Sequence, residues 1–247
     1  MAPGNSLRNR VALVTGASGG IGQAIARGLA AEGASVALAY GANAEPAQKL
    51  ADELVTGGGH ATAVGADLRR ADAAAELLSA VEPQLGSIDV LVAAAGLGRQ
   101  QSLEDIQIED FDEMLAVNLR APFLLAQQTL PGMRARGFGR VLFVSSVAAF
   151  TGGIVGPHYA ASKAGLHGLT HFLAASVAGE GVTVNAIAPA LITHTGMLPG
   201  EPDELRARVP VGRLGQPDEV ADLALAMLRN PYLTNQVVSV DGGMYPR

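Results

Sequence analysis

The segment VALVTGASGGIGQAIARGLAAEG, residues 11–33, leaves few architectures open. Residues 11–16 form a short β-branched apolar run that ends on glycine. Residues 21–33 then space their apolar positions as a helix does and stop at Gly33. The pattern predicts a strand, a tight turn and a helix. The theme recurs: SVALAY, ATAVGAD, IDVLVAAAG, RVLFVSS, VTVNAIAP and QVVSVDGG read as six further strands, separated by stretches of helical period. Strands that are apolar almost throughout, alternating with helices, must be covered on both faces. That predicts a doubly wound α/β chain around a mostly parallel sheet of seven strands.

Composition agrees with one such unit. The chain has 247 residues, 49% of them hydrophobic and 16% charged, so a single domain over 1–247 is expected, with no linker or low-complexity tract dividing it. A polar segment punctuated by Pro199, Gly200 and Pro202 makes 190–210 a candidate substrate lid. The absence of cysteine excludes disulfides, thiol nucleophiles and thiolate metal sites, and fits a reducing, cytoplasmic setting. The first ten residues lack the apolar core of a secretory signal, and no run is long enough to span a membrane. A net charge of −6 without a basic face argues against nucleic acid. His60, His158, His167, His171 and His194 show no paired spacing that suggests a metal. His158 reads as an exposed loop histidine, with contact to substrate as the alternative.

Thr15-Gly16-Ala17-Ser18-Gly19-Gly20-Ile21-Gly22 stands where the first strand becomes the first helix. Backbone N–H groups and the helix dipole can hold a pyrophosphate there. Gly16 would allow the turn, Gly20 the approach of phosphate, and Gly22 the packing of helix on strand. Gly16, Ser18, Gly20, Ile21 and Gly22 are therefore candidate dinucleotide contacts, and the architecture becomes Rossmann-type. The second strand ends on Ala39-Tyr40 without the acid that would hold the ribose hydroxyls of NAD, which favours NADP(H). NAD(H) stays open, because no Arg or Lys stands at Gly19, Gly41 or Ala42 to bind the extra phosphate. Asp67-Leu68 could set an adenine edge against the carboxylate, or Asp67 could simply cap a helix.

Tyr159 and Lys163 lie four apart at the start of a helical segment, so their side chains share one face. A tyrosine at its ordinary pKa is a poor proton donor and acceptor at neutral pH, and a neighbouring ammonium would lower it. Ser146 ends the fifth strand, at the carboxyl edge where open α/β sheets bind ligands, and could orient a carbonyl or alcohol oxygen.

Taken together, TGASGGIG, DL at 67, AAAG at 93, VNL at 117, SS at 145, YAASK at 159, VNAIAP at 184 and VDGG at 240 resemble the short-chain dehydrogenase/reductase family from about residue 7 to the end. The resemblance implies an NAD(P)-dependent oxidoreductase acting on CH–OH or C=O groups. Tyr159 would be its general acid/base, Lys163 would lower the tyrosine's pKa and bind the nicotinamide ribose, and Ser146 would position the reacting oxygen. Asn118 would hold a water linked to Lys163; read alone, it is a satisfied polar residue in a helix. Tyr40, Asp67, Leu68, Ala94, Ala95, Gly96, Pro189 and Ile192 would complete the cofactor contacts. The wording is most similar to that of bacterial 3-oxoacyl-acyl-carrier-protein reductases, which implies reduction of a 3-oxoacyl thioester or related ketone. Dehydrogenation of a sugar or cyclic alcohol with NAD, or a non-catalytic dinucleotide-binding regulator, are the alternatives. An acyl carrier protein is an uncertain partner, since Glu180 stands where a basic residue is expected, with Arg134 and Arg136 as remaining candidates. The apolar helices 111–133 and 159–177 and the C-terminal VDGGMYPR resemble the family's subunit contacts and imply a homotetramer. Three departures stand out: Ala93-Ala94-Ala95-Gly96 in place of Asn-Asn-Ala-Gly, Pro189-Ala190 in place of Pro-Gly, and His194 in place of a threonine. The nicotinamide loop is where the chain is expected to differ from its relatives.

Overall fold

The computed structural model describes residues 6–245 except Met197 and Pro199. Pro199 of the candidate lid and the last two residues of VDGGMYPR lie outside the described residues. All seven expected strands form: β1 (Val11–Thr15), β2 (Ser35–Tyr40), β3 (Ala61–Gly65), β4 (Val90–Ala93), β5 (Gly139–Val144), β6 (Val182–Pro189) and β7 (Val237–Val240). They make one sheet in the order β3-β2-β1-β4-β5-β6-β7, and every pairing is parallel rather than mostly so.

The two-sided covering follows from residue alternation along each strand. Ala12 and Val14 of β1 pack into one core, while Val11 and Leu13 pack into the other. Val90 and Val92 of β4 likewise oppose Leu91 and Ala93. Helices α1 (Gly20–Ala31), α2 (Glu45–Thr56) and the last helix of the chain, Pro217–Arg229, close the first face. Helices α3 (Ala73–Leu85), α5 (Ala121–Ala135) and α7 (Pro157–Val177) close the second. Each fully buried Leu or Val contributes about 1.5–3 kcal/mol. Among the described residues no helix is long and apolar enough to cross a membrane.

The expected helix over 111–133 is divided. Helix α4 (Ile108–Leu115) runs into a single π-helical turn, Ala116–Arg120, before α5 begins. Such a turn admits one extra residue into the helix, and here it carries Asn118. The fifth strand also ends earlier than expected. Ser146 lies two residues beyond Val144, where its Oγ accepts a hydrogen bond from Ala148 N (3.2 Å) and bends the chain into α6 (Ala148–Thr151).

The chain reverses its winding between β1 and β4, which are neighbours although two strands lie between them in sequence. Connections from the two halves diverge there and leave a crevice beyond the carboxyl ends of the strands.

Candidate active site

That crevice is a pocket of about 440 Å³. The glycine turn (Gly16, Gly19, Gly20, Ile21, Gly22) forms one end, and Ser146, Tyr159 and Lys163 line the same space. Ala94, Pro189 and Ile192 also face it.

The turn is shaped by what its glycines exclude. Gly16 has φ +69°, and a Cβ there would stand 2.7 Å from the backbone of Ala95. This close approach joins the ends of β1 and β4, where Thr15 Oγ1 accepts a hydrogen bond from Ala95 N (3.1 Å). A Cβ on Gly22 would collide with the Gly16 carbonyl oxygen, so the third glycine seats the helix on the turn itself. Gly20 has a further role that the sequence did not reveal. Its missing Cβ makes room for the carbonyl oxygen of His194. Leu191 and His194 both adopt positive φ (49° and 56°). The segment around His194 thus curls back onto the glycine turn. Thr193 Oγ1 donates to Gly215 O (3.2 Å) and Gln216 Oε1 (2.8 Å), fixing its base.

Tyr159 and Lys163 occupy the first two turns of α7. Tyr159 is 8% exposed and packs with Met114 and Ala148. Burial pushes its hydroxyl above the ordinary pKa of 10.0, and the adjacent Ser146 hydroxyl draws it back in part. Lys163 is not among the groups that shift the resting hydroxyl. Its Nζ donates to Val144 O (2.8 Å) and lies 5.8 Å from the Tyr159 ring centre. Complete burial brings the lysine down to about 8.

Asn118 is fully buried on the π-helical turn and clamps three elements. Its Oδ1 accepts from Leu97 N (2.7 Å), while Nδ2 donates to Leu97 O (3.0 Å) and Ser162 Oγ (3.0 Å). Ser162 Oγ in turn donates to Tyr159 O (2.7 Å). Asn118 Oδ1 and Lys163 Nζ converge on Gly96, at 3.4 and 3.3 Å from where a Cβ would sit. Ser162 was legible only as a letter of YAASK, because nothing local shows which buried donor it serves. The same holds for Ser145, whose Oγ bonds Lys163 O (3.1 Å) and meets His167 Nε2 (2.8 Å).

Other expectations are corrected. Asp67 caps no helix, since α3 begins at Ala73. Its carboxylate holds Arg69 through Nε and Nη2 (2.7 Å each) and the Arg69 amide (3.1 Å), which depresses its pKa to about 2. Leu68 sits in the same connection after β3, and Tyr40 packs its ring against Gly65. Arg134 and Arg136 lie where α5 ends, at the amino edge of the sheet, and are already paired: Arg134 with Glu180 (2.6 and 2.8 Å), Arg136 with Asp89 (3.2 Å).

His158 is not an exposed loop residue. It is 0% exposed in the first turn of α7, and neither ring nitrogen has a hydrogen-bond partner among the described residues. Burial lowers its pKa below 6.5, with Asp110 opposing and Arg99 assisting. The unfolded chain therefore binds this proton more readily, and native stability is full above about pH 6.5 and declines as pH falls below it. Urea denaturation of His158→Phe and wild type at pH 7.5 and 5.5 tests this. The variant is expected to lose less stability on acidification, and equal losses would refute the assignment.

Comparison with known proteins agrees with this geometry. Residues 10–205 match the family model for short chain dehydrogenases. The 3-oxoacyl-[acyl-carrier-protein] reductase of a Synechocystis species is 38% identical over 244 residues, covering 97% of this chain and 98% of that protein. The corresponding reductase of Vibrio cholerae is 38% identical over 247 residues, covering 97% and 99%. Among solved structures, a blue fluorescent protein from a metagenomic library in complex with NADPH superposes with a TM-score of 0.90 at 35% identity, covering 98% of this chain and all of that one (100%). A short-chain dehydrogenase/reductase variant from Serratia marcescens gives 0.90 at 35% identity over 97% and 99%. The chain belongs to the short chain dehydrogenase family of NAD(P)-dependent oxidoreductases.

Proposed function

We propose that this chain is an NADP(H)-dependent ketoreductase that converts a 3-oxoacyl thioester or a related ketone to the secondary alcohol. The observation that carries the reading is the shared pocket, in which the glycine turn and the Ser146–Tyr159 pair face one space beyond the strand ends. The residues fit a dinucleotide: the missing side chains of the turn leave backbone amides at the start of α1, and Ala94, Pro189 and Ile192 extend the cradle towards Tyr159. When bound, the nicotinamide supplies the hydride. Relatives named as 3-oxoacyl-[acyl-carrier-protein] reductases and a solved relative holding NADPH support the substrate class and the cofactor.

Ser146 Oγ holds the substrate oxygen, and Tyr159 gives it the proton. A phenol kept protonated by burial is suited to the acid's role in reduction. Lys163 neutralises negative charge developing on Tyr159 and takes the nicotinamide ribose. Asn118 keeps the 97 loop, Ser162 and the start of α7 in register with both. The chain acts as one catalytic unit with 190–210 as its lid. Exposed Phe123 on α5 and Phe172 on α7 support assembly through those helices into a homotetramer. Oxidation of a sugar finds less support. The pocket wall is mainly Ala148, Ile154, Val155, Leu191, Leu198 and Met244, with Thr151, Thr195 and Arg208 as the polar side chains outside the Ser146–Tyr159–Lys163 centre and its neighbour Ser145, few for a polyol.

Following NADPH and NADH absorbance with acetoacetyl coenzyme A tests the reading. Consumption with NADPH at the higher kcat/KM is the expected result. No turnover with either cofactor, despite saturable NADPH binding, would overturn it.

A further inference from the structure

The pocket's charges are few. Among its described lining residues no aspartate or glutamate occurs, and the only cations are Lys163 and Arg208. Lys163 is buried and its amine is committed to the Val144 carbonyl. Arg208 is exposed and differs from the arginines around it. Arg206 pairs with Asp203 (3.4 Å) and Arg213 with Glu219 (2.5 Å), whereas the Arg208 side chain has neither an ion pair nor a hydrogen bond among the described residues. Its backbone is nevertheless held in place. Arg208 N donates to Leu205 O (3.1 Å), and the next residue, Val209, is buried in a small cluster with Leu205 and Leu214. Val211 N donates to Gly242 O (3.1 Å), tying the segment to the chain after β7.

A fixed backbone thus places a guanidinium that has no counter-ion among the described residues on a pocket whose walls are mostly apolar. The stem of such a side chain lies along an apolar wall while its head stays wet. In a protein of net charge −6, a cation with no counter-ion among the described residues gives this end of the pocket a positive local field. Guanidinium recognises carboxylate and phosphate through paired N–H donors.

Resting on the ketoreductase reading, we infer that Arg208 is a specificity-determining residue that binds an anionic group of the substrate. The substrate class is a ketone with a phosphate or carboxylate at the end remote from the reacting carbonyl and an apolar stretch between the two. The carbonyl sits at Ser146 and Tyr159, the apolar stretch against Ile154, Leu191 and Met244, and the anion at Arg208.

The test compares matched substrates on wild type, Arg208→Gln and Arg208→Lys. The phosphate arm uses acetoacetyl coenzyme A against the neutral acetoacetyl N-acetylcysteamine thioester. The carboxylate arm uses the monomethyl ester of 3-oxoadipate, with its free carboxylate remote from the ketone, against the dimethyl ester. Readouts are kcat and KM separately, at low and at raised salt. A hydrogen bond to a charged group is worth roughly a 10-fold to 100-fold change in binding. The preference for the anionic member, as a ratio of kcat/KM values, is therefore expected to fall about tenfold in Arg208→Gln. The change should lie in KM, and Arg208→Lys should recover part of it. Added salt should erode the preference in wild type more than in Arg208→Gln. The arm that loses its preference identifies phosphate or carboxylate. An unchanged ratio in both arms, or equal loss on charged and neutral members, overturns the inference and leaves the reductase reading standing. If wild type reduces none of the four, both fall.

Discussion

Tyr159→Phe is expected to lower kcat for ketone reduction by about 10²–10⁴-fold, the range that a positioned acid contributes, while leaving the Kd for NADPH within about twofold. The substitution removes one oxygen from a side chain that is 8% exposed and packed by Met114 and Ala148, so the ring's packing is retained. What is lost is the hydroxyl that burial keeps protonated and that stands beside Ser146. The measurement is NADPH oxidation under saturating ketone, paired with a binding titration by NADPH fluorescence. A fall in kcat below tenfold would remove Tyr159 from the role of acid. A parallel loss of NADPH binding would show that the ring, rather than its proton, is what the site requires.

The second large effect concerns the turn. Gly22→Ala is expected to weaken NADPH binding at least tenfold, about 1.4 kcal/mol, and to destabilise the fold by about 1–3 kcal/mol through overpacking. The new Cβ would meet the Gly16 carbonyl oxygen, with the Gly16 carbonyl carbon at 2.8 Å and Ala17 Cα at 3.1 Å, all backbone atoms. The turn cannot give way easily, because Gly16 already sits at φ +69° against Ala95. Any relaxation must therefore displace the amides at the start of α1. Gly19→Ala is the matched control. Its Cβ would have one ordinary contact at 3.4 Å, at a residue with φ −91°, and it is expected to leave stability and NADPH affinity nearly unchanged. Fluorescence titration and thermal melting of the two variants check both claims. Equal behaviour of the two would show that packing of helix on turn does not govern the site.

The two substitutions were visible in the sequence for different reasons. Tyr159 and Lys163 are separated by one helical turn, so local spacing alone places them on a common face. Gly16, Gly20 and Gly22 mark a turn because strand and helix patterns meet there. The reason for Gly20 was not local. The carbonyl that fills its missing Cβ belongs to His194, some 170 residues away in the chain. The misreading of His158 has the same origin. A histidine after Gly156-Pro157 looks like part of a loop, but α7 begins at Pro157 and the side chain is fully buried. The partner of the Lys163 amine was not local either. Spacing brings Lys163 near Tyr159, but the carbonyl at the end of β5 captures its amine.

The sequence by itself determined the class of fold and the candidate residues of the centre. Two-sided apolar strands can be satisfied only by helices on both faces, and the glycine turn and the Tyr–Lys spacing are short-range features that survive without tertiary context. Only the tertiary structure decided what each group touches. It brought Asn118 through a π-helical turn to Leu97 and Ser162, paired Arg134 with Glu180 at the far edge of the sheet, and placed Arg208 on the pocket without a counter-ion among the described residues. Hydrogen bonds, burial and charge compensation depend on partners distant in the chain, and these become neighbours only when the sheet has assembled.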